Sequence, residues 1–183
     1  MKVGPISNHW LQGVQRCESP NHSDRPADTQ PWLLVIHNIS LPPGEYGGDW
    51  ILDLFSNCLD PDFHPYFEGI ADLKVSAHAL IRRDGAVVQF VPFDKKAWHA
   101  GQSSYEGVAS CNDFSIGVEL EGCDTDSFTD AQYTTLAELT RCLFTYYPTL
   151  SPEHIAGHSD IAPGRKTDPG PYFDWARYKA AVV

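Results

Sequence analysis

Three residues of metal-ligand type stand at or near the ends of apolar segments. His37 closes the run Trp32-Leu33-Leu34-Val35-Ile36, and His158 closes Ile155-Ala156-Gly157. Asp168 follows in an irregular loop that a bound ion would organise. Two imidazoles and a carboxylate suit Zn²⁺ and leave a fourth tetrahedral position for water, the pattern of a catalytic site. The chain carries eight histidines, so spacing alone also admits capping or buried, hydrogen-bonded imidazoles. His154 and His158 are four apart, as in H-E-x-x-H metalloproteases. Glu153 precedes His154 instead of following it, however, and Gly157 weakens a helix, so that motif is absent.

Glu119 and Glu121 form a second constellation. Two strand residues at i and i+2 share a face about 6.5–7 Å apart, a spacing compatible with an inverting glycosidase pair. One of them would equally serve as general base beside a metal-bound water. The plain alternative is a solvated strand face. Lys166, two residues before Asp168, is suited to stabilising an oxyanion; the plain alternative is a surface lysine beside Arg165. Trp98, in Trp98-His99-Ala100-Gly101, either stacks on a sugar ring or anchors a loop in the core.

The elements that must position these groups are legible from period and punctuation. Trp32 to His37 is apolar on both faces, as a buried central strand is. Asp49 is placed to cap a helix through Trp50, Ile51, Leu54, Phe55 and Cys58, which Pro61 stops. Asp84-Gly85 between His78–Arg83 and Ala86–Val91 predicts a two-residue hairpin turn. Ser115 to Glu121 alternates with period two: Ile116, Val118 and Leu120 on one face, Gly117, Glu119 and Glu121 on the other. Thr129 and Gln132 form a capping box before the stripe Leu136, Leu139, Leu143, Phe144 and Tyr147, and Pro148 ends that helix. Asp174 caps a last helix through Trp175, Tyr178 and Val182. Residues 17–31 read as a polar surface loop. Strands and helices interleave, so the fold class is α/β of the α+β type: a mixed central β-sheet flanked by α-helices, in a single domain.

The remaining composition narrows the function classes. At 183 residues and 42% hydrophobic content the chain can bury a core without staples. Thirteen basic against 24 acidic side chains give −11, which argues against nucleic acid and anionic membranes as partners. No apolar run reaches the roughly 18 residues of a membrane span. The start, Met1-Lys2-Val3-Gly4-Pro5, lacks the apolar stretch of a secretory signal. Cys17, Cys58, Cys111, Cys123 and Cys142 include no C-x-x-C pair. They read as free thiols, mostly small buried hydrophobes, in a reducing cytoplasm. No heptad or exposed apolar stripe is evident, so a monomer is expected.

Taken together, six motifs occur here in one order: Val35-Ile36-His37-Asn38-Ile39-Ser40, Val75-Ser76-Ala77-His78, Trp98-His99-Ala100-Gly101, Asn112-Asp113-Phe114-Ser115-Ile116-Gly117, Glu119-Leu120-Glu121-Gly122 and Arg165-Lys166-Thr167-Asp168-Pro169-Gly170-Pro171. On these residues the chain resembles the zinc N-acetylmuramoyl-L-alanine amidase and peptidoglycan-recognition family, over nearly its whole length. The resemblance implies one Zn²⁺ per chain on His37, His158 and Asp168, with Glu119 as catalytic acid/base and Lys166 stabilising the intermediate. It implies that Asn38, Tyr66, Lys74, Trp98 and Arg165 contact substrate. Relatives often carry Arg where this chain has Ser110, which removes one expected contact. The implied function is hydrolysis of the amide between (anhydro-)N-acetylmuramic acid and L-alanine in small soluble muropeptides, during cytosolic cell-wall recycling, with an effect on β-lactamase induction. The amidase domain would span residues 1–183, with its catalytic core at about 30–172. The alternatives are an amidase on polymeric peptidoglycan, a non-catalytic peptidoglycan-binding module, and the glycosidase read from Glu119 and Glu121.

Overall fold

The computed structural model describes residues 3–183. Its strands are β1 (Ile6–Ser7), β2 (Trp10–Leu11), β3 (Gln15–Arg16), β4 (His22–Asp24), β5 (Leu33–Ile39), β6 (Ala79–Ile81), β7 (Val87–Gln89), β8 (Lys95–Ala97), β9 (Ser104–Tyr105), β10 (Val108–Ala109), β11 (Ser115–Glu121) and β12 (Ile155–Gly157). Its helices are α1 (Trp50–Ser56), α2 (Pro65–Glu68), α3 (Asp130–Tyr146), α4 (His158–Ile161) and α5 (Trp175–Val182). One six-stranded sheet runs β12-β5-β11-β6-β7-β3, and the other strands pair in two-stranded ribbons. The β12-β5, β5-β11 and β11-β6 pairs are parallel, whereas β6-β7 is antiparallel. The sheet is therefore mixed, as its sequence pattern predicts.

The two faces of the sheet have different jobs. Leu34 and Ile36 of β5 and Ile116, Val118 and Leu120 of β11 pack with Leu136, Leu139 and Leu143 of α3 and Tyr178 of α5. The α3 cap forms as read: Thr129 Oγ1 accepts from the Gln132 amide at 3.1 Å, and Gln132 Oε1 accepts from the Thr129 amide at 3.0 Å. Leu136 is fully buried, where truncation to Ala costs about 2–5 kcal/mol. The opposite face carries Leu33 and Val35 of β5, in a cluster with Ala100, Cys111, Phe114 and Ile161. Alternation then puts His37 and Glu119 on this second face, away from α3.

Several local expectations are corrected. Asp49 does not cap α1; its carboxylate accepts from Arg82 at 2.9 Å. The helix ends at Asn57, in the left-handed region, before Pro61 is reached. The hairpin turn has three residues, not two. Arg82 N donates to Ala86 O and Gly85 N to Arg82 O, and Gly85 takes φ +84°, the left-handed position of a type I turn with a bulge. Residues 17–31 are more than a surface loop: they include β4, paired with β8, and the buried Ser19 and Asn21. Of the cysteines only Cys111 is buried; Cys58 is exposed, the other three are half-buried, and all are free. The Glu119 face of β11 is not solvated, because β11 is central and all seven of its residues are buried.

Candidate metal centre and active-site cleft

In open sheets with parallel strands, ligands bind beyond the carboxyl ends of the strands. Here β5, β11 and β12 deliver their ends to one place. Register pairs Gly157 with Ile36, so His158, starting α4, emerges beside His37. Asp168 is brought in by its own backbone, its carbonyl accepting from the Ser159 amide at 2.9 Å.

The three side chains converge closely. His37 Nδ1, His158 Nδ1 and Asp168 Oδ2 stand 3.0 Å from one another, pair by pair. Among the described residues this is the one group of three or more His, Cys, Asp or Glu with metal-holding geometry. The outer nitrogens are also engaged: His158 Nε2 donates to the Ala100 carbonyl at 3.2 Å, and His37 Nε2 lies 2.9 Å from His99 Nδ1. Burial pushes His37 down from its ordinary range, with Asp168 opposing. Burial pushes the Asp168 carboxyl up, but hydrogen bonds from His158 and His37 outweigh it and hold Asp168 well below the usual carboxylate range. A neutral imidazole and an ionised carboxylate are the protonation states that a metal requires of its ligands.

Glu119 is only 8% exposed, and its Oε2 is buried without a hydrogen-bond partner among the described residues. Burial, reinforced by the Asp168 charge and opposed by Lys166, raises its carboxyl well above the ordinary value. Such an orphan in a cleft is a candidate proton carrier. Glu121 is not its partner. Its carboxylate accepts from the amides of Gly47 at 2.7 Å and Arg83 at 3.0 Å, and it does not line the cleft. The glycosidase pairing of the two glutamates is therefore dismantled by the fold.

The cleft over this centre has a volume of about 690 Å³. Asn38, Tyr66, Trp98, Arg165 and Lys166 all line it, with His37, Glu119, His158 and Asp168. Asn38 Nδ2 donates to Asp124 at 2.7 Å, and Trp98 Nε1 to Ser23 at 3.2 Å. Arg165 already spends its guanidinium on the carbonyls of Ala100 and Gln102. Lys74 is exposed and outside the lining, although its neighbours Leu73 and Val75 belong to it. Lys74 therefore stands at the edge of the cleft. Ser110 is exposed, at the start of a 3₁₀ turn. Sequence reasoning passed over His99 and Asp124. For His99 the available signal was its place in the Trp98-His99-Ala100-Gly101 motif.

Comparison with known proteins follows this geometry closely. The model of the N-acetylmuramoyl-L-alanine amidase family matches residues 27–171. The chain belongs to that family. Among curated amidases it is 62% identical over 178 residues to the 1,6-anhydro-N-acetylmuramyl-L-alanine amidase AmpD of Citrobacter freundii, covering 97% of this chain and 95% of that one. It is 61% identical over 177 residues to the AmpD of Escherichia coli K12, covering 97% and 96%. The amidase fold is matched by a crystal structure of a selenomethionine AmpD derivative, with TM-score 0.95 and 60% identity over 97% of this chain and 99% of that one. The family resemblance and the mixed-sheet expectation are both borne out, and the amidase is a hydrolase.

Proposed function

We propose that this amidase cleaves the bond between the lactyl group of 1,6-anhydro-N-acetylmuramic acid and the L-alanine of its stem peptide. The observation that carries the substrate is 62% identity across 97% of the chain to a relative named for that reaction. We further propose one Zn²⁺ per chain on His37, His158 and Asp168. The donor set supports it: two imidazole nitrogens and a carboxylate oxygen at 3.0 Å spacing, near the donor separation of about 3.3 Å expected around tetrahedral zinc. A single amidase domain over residues 1–183, with its core at about 30–172, completes the reading.

When bound there, zinc supplies a Lewis acid and lowers the pKa of a coordinated water towards about 7. The rest falls to the chain's own groups. Glu119 takes the attacking water's proton at its free Oε2 and returns one to the leaving alanine nitrogen. Its buried, unpartnered Oε2 facing the cleft suits it to hold that proton between the two transfers. Lys166, at the rim, offsets the charge that grows on the carbonyl oxygen. Trp98 and Tyr66 offer ring faces to the sugar, and Asn38 an amide. The substrate is a small soluble muropeptide, the setting is the cytoplasm, the working unit is a monomer, and removal of inducing muropeptides restrains β-lactamase. No helix among the described residues is long and apolar enough to cross a membrane.

The test is a mass-spectrometric assay on anhydro-muramyl-tripeptide, with and without chelator and with zinc restored. Free tripeptide that disappears with chelator and returns with zinc is expected. Intact substrate from a zinc-loaded chain overturns the reading. Intact sacculi, assayed next, then separate a polymer-acting amidase from a binding module.

A further inference from the structure

The His37 ring presents two nitrogens to two different surroundings. Nδ1 faces His158 and Asp168, each at 3.0 Å, while Nε2 faces His99 Nδ1 at 2.9 Å. The contact does not end there, because His99 Nε2 lies 3.1 Å from Ser115 Oγ. The two rings meet edge to face, with centroids 5.0 Å apart and planes at 86°.

We infer that His99 is a positioning residue for the metal ligand His37, accepting its Nε2–H and so holding its Nδ1 lone pair towards the ion. This rests on the proposed role of His37 as a ligand. A metal-bound imidazole must give its second N–H to an acceptor, and that partner sets ring orientation and basicity. For His158 the acceptor is a backbone carbonyl, Ala100 O, which can do nothing but accept. For His37 it is a second imidazole. His99 accepts at Nδ1 only when its own proton sits on Nε2, where Ser115 Oγ can take it.

Three further observations hold His99 in that pose. Gly117 supplies the space: a Cβ there would lie 2.5 Å from the His99 ring. Register places Gly117 and Ser115 on β11 two and four residues before Glu119, which pairs with His37, so one strand carries Glu119, the glycine floor and the terminal acceptor. Asn112 Oδ1 accepts from the amides of His99 at 3.1 Å and Ala100 at 2.8 Å. One clamped dipeptide therefore backs both histidine ligands, His99 by its side chain and Ala100 by its carbonyl.

The experiment measures zinc affinity by competition with a chromophoric chelator, alongside thermal unfolding of the metal-free proteins. His99→Phe keeps a ring but removes both nitrogens. It should fold and bind zinc about 10–100-fold more weakly. His99→Gln restores an acceptor oxygen and should recover most of that loss. Gly117→Ala leaves the imidazole intact but displaces it, and should weaken zinc in the same direction. Folded His99→Phe and Gly117→Ala chains with wild-type zinc affinity overturn the inference. A His99→Gln chain as weak as His99→Phe overturns the hydrogen bond as its cause. A wild-type chain that binds no zinc removes the metal reading itself, and this inference with it.

Discussion

Glu119 and His37 are register partners on the adjacent parallel strands β11 and β5. Both side chains leave the sheet on the face opposite α3. Neighbouring strands lie about 4.8 Å apart, so the pairing sets the carboxylate beside the imidazole with no help from loops. A slip of one residue would send either side chain into the apolar core under α3. The centre is thus tied to two adjacent central strands of the six-stranded sheet.

Glu119→Gln keeps the size of the side chain and removes its proton acceptor. We expect turnover to fall by about 10²–10⁴-fold with zinc content unchanged. Steady-state kinetics with metal analysis of the same sample is the check. Near wild-type turnover would remove Glu119 from proton transfer.

Lys166→Ala removes a charge that matters most when the carbonyl oxygen becomes anionic. A single electrostatic partner of this kind contributes about 3–4 kcal/mol, or roughly 10²–10³ in rate. Lys166 is exposed, so stability should hardly change. The loss should fall on kcat, with KM little altered; a loss confined to KM would recast Lys166 as a binding residue.

Asp168→Asn replaces an anionic ligand with a neutral amide while keeping its shape. It also leaves His37 and His158 without the carboxylate that offsets their burial. Zinc should then be stripped by dialysis at chelator concentrations that the wild type withstands. Equal retained zinc, measured by elemental analysis, would reject Asp168 as a ligand.

Stability should depend on pH through histidines that stay neutral in the fold. His78 is fully buried, accepts from Gly117 N at 3.0 Å and donates to Lys95 O at 3.0 Å. Burial, then the nearby Arg25 charge, pushes its pKa down to about 3, against roughly 6.5 in an unfolded chain. Between these values the unfolded state binds the extra proton, so stability rises with pH. The contribution is complete above about pH 6.5 and is lost towards pH 3, at up to about 1.4 kcal/mol per unit. Burial pushes His37 and His99 in the same direction. Urea unfolding of the metal-free chain at pH 5 and pH 7 should show this loss, and His78→Gln should reduce it. A flat profile would contradict the neutral, buried imidazoles.

Features that depend on near neighbours along the chain were legible without the fold. The period-two pattern located β11 to the residue, since alternation is a property of the strand alone. Thr129 and Gln132 announced the start of α3, because a capping box closes over three residues. The ligand types and their places at segment ends were legible too, and ordered motifs carried the family. Which groups are free to act depends instead on contacts between distant segments. Glu119 and Glu121 are alike in the sequence, yet Gly47 and Arg83, remote along the chain, consume one carboxylate and leave the other open. Asp49 looked like a cap until Arg82 took its oxygen. His99 gains a role only because Gly117 makes room for its ring. In each case the outcome rests on a hydrogen bond or a close approach between distant segments. Those contacts follow from strand order and register, which no local pattern encodes.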